Sequence, residues 1–213
     1  MATPKSVCIP KLEAIDITGP VVQVVVKQGE SPVTVSAHKS VLCSSSQFFQ
    51  TAAKKEWAEL RDEPHTITFE YNPELFQAYI HWLYIRTLPI PVPTAPGGTL
   101  QFLARVYVLG EELMDSNFKN AVLDTVIAEC KGSYLCQLAV SIIYEGTTEA
   151  SPLRRLLVDI YADQATALTC WTSQFKGCPK DFLVDVMTAM VKLRPATAKA
   201  PWKKCSGSYR ETV

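Results

Sequence analysis

Residues 37–49 read AHKSVLCSSSQFF, and the reading of that stretch decides the fold. Its start closes an alternating run, Val33, Val35 and Ala37 against Thr34 and Ser36, the pattern of a strand with one face buried and the other wet. Ser44 to Ser46 then offer hydroxyls of the kind that accept from unpartnered amides at a helix start. A helix is predicted from there through Lys54, with Phe48, Phe49 and Ala52 on its buried side. Upstream, Val21 to Val26 (VVQVVV) is almost wholly apolar and predicts a central strand covered on both faces. The six residues between the two runs, Lys27 to Pro32, suit a hairpin in which Gly29 takes the positive φ of the turn.

Downstream, Thr66 to Phe69 reads as a short strand, and Asn72-Pro73-Glu74 opens a helix. Asn caps, Pro at the first turn gives up an amide that has no partner there, and Glu complements the positive helix end. Leu75, Tyr79, Trp82 and Leu83 recur at helical spacing along it. Leu88 to Gly98 (LPIPVPTAPGG) holds four prolines and is read as an insertion loop inside one domain.

Helices are expected to fill the rest. Leu103, Val106, Tyr107 and Gly110 share one face, and Leu123, Val126, Ile127 and Cys130 another. Leu135, Leu138, Ala139, Ile142 and Ile143 follow a helical period. Ser151-Pro152 starts a further helix with Leu153, Leu156, Leu157, Ile160 and Tyr161 inward and Arg154, Arg155, Asp159 and Asp163 on a solvated face. A last helix is expected to bury Leu183, Val186, Met187, Met190 and Val191 before Pro195 ends it. Few strands followed by many helices argue an α+β fold, helices packed on a small sheet.

Lys plus Arg and Asp plus Glu number 21 each in the 213 residues, so no global field draws the chain to nucleic acid or to a membrane surface. The N-terminus lacks the apolar run of a signal peptide, and Leu135 to Tyr144 is about half the length of a bilayer span. A soluble protein of the cytoplasm or nucleus is the expectation. The seven cysteines, at 8, 43, 130, 136, 170, 178 and 205, form no CxxC pair, and they read as reduced, packed thiols with no metal.

No constellation recommends catalysis, and no cofactor is implied. His38 and Cys43 lie five apart across a strand-to-helix junction with no orienting group for the imidazole, so His38 is read as a structural residue donating to a backbone carbonyl. His65 and His81 stand alone. Glu111, Glu112 and Asp115 are read as solvating a turn. The pairs Lys54-Lys55 and Lys203-Lys204 are too short to track phosphates, and Gly97-Gly98 lacks the lysine of a phosphate loop. Phe48, Phe49, Trp57, Phe76, Tyr79, Trp82 and Tyr84 are mostly core, leaving one or two for a partner surface.

In their order, these motifs resemble the BTB/POZ domain. The likeness rests on Ala37-His38-Lys39, Val41-Leu42-Cys43, the serines 44–46, Phe48-Phe49, Trp57, the strand at Ile67 to Phe69, Asn72-Pro73-Glu74 and Trp82-Leu83-Tyr84. Val106 to Leu113, Lys119 to Val122 and the SPLRRLLVD stretch from Ser151 extend it towards the stand-alone BTB proteins of filamentous fungi, over residues 18–194. The resemblance implies helical hairpins against a short sheet, no catalysis, frequent homodimers, and in some members a bridge between a substrate and a cullin-RING ubiquitin ligase. Cullin-binding members carry a hydrophobic-x-Glu motif before the third core strand. Trp57-Ala58-Glu59 falls there, so Trp57 and Glu59 are the candidate partner-binding residues, one as apolar anchor and one as charge. His38, Lys39, Leu42, Phe48, Phe49, Trp82 and Tyr84 are family-marking residues assigned to structure. Gly19-Pro20 stands where dimeric members usually carry an acidic residue.

The resulting expectation is a flexible leader at 1–17, a BTB/POZ-like domain at 18–130, an all-helical extension at 131–194 and a flexible tail at 195–213. The protein is expected to be a non-enzymatic, self-associating or adaptor module. A transcription-linked or general scaffold is the competing reading, and an enzyme with a cryptic site in the C-terminal helices is the third.

Overall fold

The computed structural model describes residues 14–29, 32–59, 61, 63–93, 95, 97–130, 136–165 and 175–193. Two strands come first, β1 (Val21–Lys27) and β2 (Val33–His38), followed by the short helices α1 (Lys39–Cys43), α2 (Gln47–Ala52) and α3 (Lys55–Ala58). Strand β3 (Thr66–Glu70) completes a three-stranded sheet in the order β2-β1-β3, with β1 antiparallel to β2 and parallel to β3. Val22 pairs with Ala37, while Val24 stands between Val35 and Ile67 and Val26 between Val33 and Phe69. Alternate residues therefore stack on one face, and Val22, Val24, Val26, Ala37, Ile67 and Phe69 form it as the sheet's contribution to the core.

The expectation that β1 is covered on both faces is corrected here. It is central in the sheet, but Val21 is exposed and Val25 half-buried, because the packed helices lie on the Val24 side only. The hairpin glycine is as expected, with Gly29 at φ 68°.

Helix α4 (Pro73–Ile85) starts as the sequence predicts, Asn72 Oδ1 accepting from Glu74 N at 2.9 Å and Leu75 N at 3.2 Å. It ends at Arg86, held in the left-handed region at φ 59°, whose guanidinium lies 4.5 Å from the Trp82 ring centre. That cation–π contact offsets the strain of a non-glycine residue there. After the proline-rich segment, Gly97 at φ 78° opens α5 (Gly98–Glu112). A Cβ on Gly97 would meet Cys136 Cβ at 2.7 Å, so the turn and the close approach both require glycine.

Four further helices follow among the described residues: α6 (Ser116–Glu129), α7 (Gln137–Gly146), α8 (Pro152–Gln164) and α9 (Lys180–Leu193). Helix α5 packs on α6 and α7, and α8 packs on α9, so that one apolar core runs from the sheet through Leu103, Tyr107 and Ile143 to Phe182. Gly110 lets α6 close on α5, since a Cβ there would lie 2.8 Å from Lys119 Cγ.

Several helix faces are rotated from their expected registers. In α6 the buried residues are Phe118, Val122 and Val126, and Ile127 is exposed. In α7 they are Ala139, Val140, Ile143 and Tyr144, with Leu138 exposed and Leu135 outside the described residues. In α9, Phe182 and Val186 are buried while Met187 and Val191 face solvent. The cause in α9 is Phe182, whose ring sits edge-on between Tyr161 at 4.8 Å and Tyr144 at 5.4 Å. The larger aromatic sets the rotation and leaves the aliphatic residues behind it outside.

Arg154, expected on a solvated face, is half-buried, lying 4.4 Å from the Tyr144 ring centre and donating to Tyr144 O at 2.6 Å. Residues 14–17 of the expected leader are described. Ile15 packs against the core, and Ser40 Oγ donates to Asp16 O at 2.7 Å. Among the described residues no helix is long and apolar enough to cross a membrane.

Candidate partner-binding site

The stretch 37–49 builds one wall of the site. His38 caps the start of α1, and its backbone N–H donates to the Tyr84 hydroxyl at 2.9 Å, with His38 Nδ1 2.8 Å from the same oxygen. The expected backbone carbonyl partner is thus corrected to a tyrosine hydroxyl, 46 residues away in α4. Lys39 Nζ donates to Ala53 O at 3.0 Å. Leu42, Phe49 and Trp82 are buried, and Phe48 is half-buried. All seven family-marking residues are therefore tied into this corner through bonds or packing.

Ser46 caps α2 as the sequence predicts, and the serines also reach the α5–α6 turn. Ser46 accepts from Phe49 N at 3.2 Å as the α2 cap, and its hydroxyl donates to Leu113 O at 2.7 Å. Ser45 donates to Asp115 Oδ2 at 2.5 Å, Tyr79 donates to the same oxygen at 2.9 Å, and Phe118 N donates to Asp115 Oδ1 at 3.0 Å. Asp115 is fully buried as the cap of α6, which corrects the expectation that it solvates a turn. Burial, with the neighbouring carboxylate second, pushes the Tyr79 phenol far up, so it remains a proton donor to Asp115. Glu111 pairs with Lys119 at 2.7 Å instead of joining that cluster. Between Leu113 and Asp115, Met114 takes φ 49°, and the turn is pressed against the start of α2.

The helix predicted through Lys54 stops at Ala52. Two cations take its final carbonyls, Lys39 at Ala53 O and Arg61 Nη2 at Ala52 O, as helix C-termini favour. Lys54 is extended, and a single turn, α3, then carries Trp57. Arg61 Nη1 donates to Thr66 O at 2.9 Å and so pins this segment to β3.

The outcome is a groove of about 480 Å³ lined by Phe48, Ala52, Trp57, Arg61, Ile67 and Met114, with Thr51 and Thr68 at the same surface. Trp57 is 55% exposed, so it is no core anchor. Glu59 is exposed at the C-cap of α3, paired with Lys55 at 3.6 Å, and does not line the groove. Residues two apart on a helix point to different sides, which separates the two candidate side chains. Sequence reasoning missed Arg61, Ile67, Thr68 and Met114 as lining residues. Ile67 was legible as a strand residue, but nothing local to Met114 signals that the α5–α6 turn arrives at α2.

A second concavity of about 440 Å³ lies between α8 and α9, with Arg154, Asp159, Asp185 and Lys192 among its lining. Two of its polar groups are already engaged, Asp185 by the Tyr144 hydroxyl at 2.8 Å and Arg154 on Tyr144 and Thr147.

No curated protein matches the chain. Residues 21–109 match the family model described as the BTB/POZ domain, a stretch that runs from β1 into α5 and includes the α2–α3–β3 side of the groove. The fold class is accordingly α+β, three strands and helices across the stretch that matches the BTB/POZ model with additional C-terminal helices, and the matched family is a non-enzymatic protein–protein interaction domain.

Proposed function

We propose that this protein is an adaptor whose BTB/POZ domain binds a helical protein partner in the groove beside Trp57, and that the partner is a cullin of the ubiquitin-ligase class. The observation that carries the reading is the exposure of Trp57 on a one-turn helix, with apolar walls from Phe48, Ile67 and Met114 and with Glu59 free of the core. Large exposed aromatics in a concave apolar setting make effective anchors, and a charge beside the groove steers the approach. The module occupies residues 18–130 in this reading, and the helices of 131–194 grip a substrate. Homodimer formation by the BTB/POZ core is compatible with the same groove.

Calorimetric titration with the N-terminal domain of the cullin that serves BTB adaptors tests the proposal, beside Trp57→Ala and Glu59→Lys. Binding in the micromolar range or tighter, weakened at least about tenfold by Trp57→Ala, is expected, since a central aromatic contributes ~2 kcal/mol or more. No heat at tens of micromolar sinks the ligase role and leaves a scaffold for other partners.

A further inference from the structure

Helix α9 has two apolar faces. Phe182 and Val186 point into the core, while Val184, Met187 and Val191 face solvent with 52%, 67% and 71% of their surface exposed. Spaced three and four residues apart, the outer three form a single stripe along the helix. Charges sit at its ends, exposed Lys180 on the line of the stripe itself and Asp181 and Lys192 beside it. Asp181 and Lys192, both exposed, are separated by eleven positions and so lie within about 20° of each other around the axis, on one edge of the stripe. Asp185 is near that edge but is bound by the Tyr144 hydroxyl.

We propose that this stripe is a self-association surface on which a second copy of the chain lays its own α9 antiparallel to the first. A two-fold axis between antiparallel helices maps each edge onto the same edge of the partner. Asp181 of each copy then faces Lys192 of the other. A parallel arrangement carries that edge to the opposite side of the seam and leaves both charges without an opposite partner, so the charges select the antiparallel one. The midpoint of Asp181 and Lys192 lies one residue, about 1.5 Å along the axis, from the midpoint of Val184 and Val191. One register therefore superposes the stripes and pairs the charges. The apolar side chains supply the attraction, and the exposed ion pairs fix direction more than they add affinity. A helix about 21 Å long covers less than a standard interface, so the complex is reversible and concentration-dependent.

This surface is on a different element from the Trp57 groove, and either proposal stands if the other fails. Sedimentation equilibrium of the full chain, from about 5 to about 300 µM, tests it over the range where weak association is resolved. The expected result is a reversible doubling of mass that Met187→Glu weakens at least about tenfold, and that Val191→Lys weakens alike, with circular dichroism unchanged in both. Asp181→Lys and Lys192→Asp each weaken it, and the two together in one chain restore it. If the core also self-associates, Met187→Glu removes one doubling and leaves the other. Association indifferent to Met187→Glu and Val191→Lys, no restoration by the double charge exchange, or a chain monomeric throughout overturns the proposal.

Discussion

Trp82 and Trp57 belong to neighbouring stretches of one chain, yet 5% of the first is exposed and 55% of the second. Trp82 sits on the thirteen-residue α4, with Phe118 5.1 Å away, Tyr79 6.3 Å away and the Arg86 guanidinium over its free face. Trp57 sits on four residues of helix, whose direction is dictated by the cations capping α2 before it and by Arg61 after it. A long helix has a face it can bury, whereas a single turn is positioned by its flanks. The same residue type thus serves cohesion in one place and stands open to solvent in the other.

The largest effect is expected where that contrast is strongest. Phe118→Ala removes the ring that closes on Tyr79 at 4.8 Å and on Trp82, and costs about 3–5 kcal/mol in urea unfolding. Asp115→Ala should follow, at about 2–3 kcal/mol, because it deletes the α6 cap and strands the buried Tyr79 hydroxyl. Trp57→Ala is expected to change stability by no more than about 0.5 kcal/mol while weakening binding of the proposed cullin at least about tenfold. A loss of several kcal/mol there would make Trp57 a core residue after all and erase the comparison.

The smallest effect concerns the approach to β1. Asp16 accepts from the Thr18 amide at 3.0 Å and the Thr18 hydroxyl at 2.7 Å, which lower its carboxyl pKa below the ordinary value of 3.8. A carboxylate with a depressed folded pKa stabilises above its unfolded pKa and loses that contribution as pH falls through the folded one. The Thr18 amide resonance should therefore shift only below about pH 4, with little change in global stability. A shift centred above that value would show that the turn does not hold Asp16.

Much of this was legible because the signals were local. The Asn72-Pro73-Glu74 start of α4, the Gly29 turn and the β2 alternation each need only neighbouring residues to specify them. The rotations of α6, α7 and α9 were not, since helical period locates a stripe but not which of two apolar stripes meets the core. In α9 the choice falls to Phe182 and the two tyrosines it contacts, residues distant in sequence. The position of Trp57 was readable as a motif, while its groove depends on Met114, brought in by the Ser45 and Ser46 bonds to the α5–α6 turn.

The strand order β2-β1-β3 also bears on how the chain reaches this state. Strands β1 and β2 meet across a short turn, so their zippering closes a small loop and is fast. The parallel partner of Gln23 is Thr66, and that pairing must enclose β2 and three short helices before any of its bonds is gained. Loop-closure entropy places it late, so docking of β3 is the expected slow step. Arg61, which ties the end of α2 to the start of β3, then acts as a latch that forms with that step. A chain arrested before it would expose the apolar edge of β1 to other nascent chains.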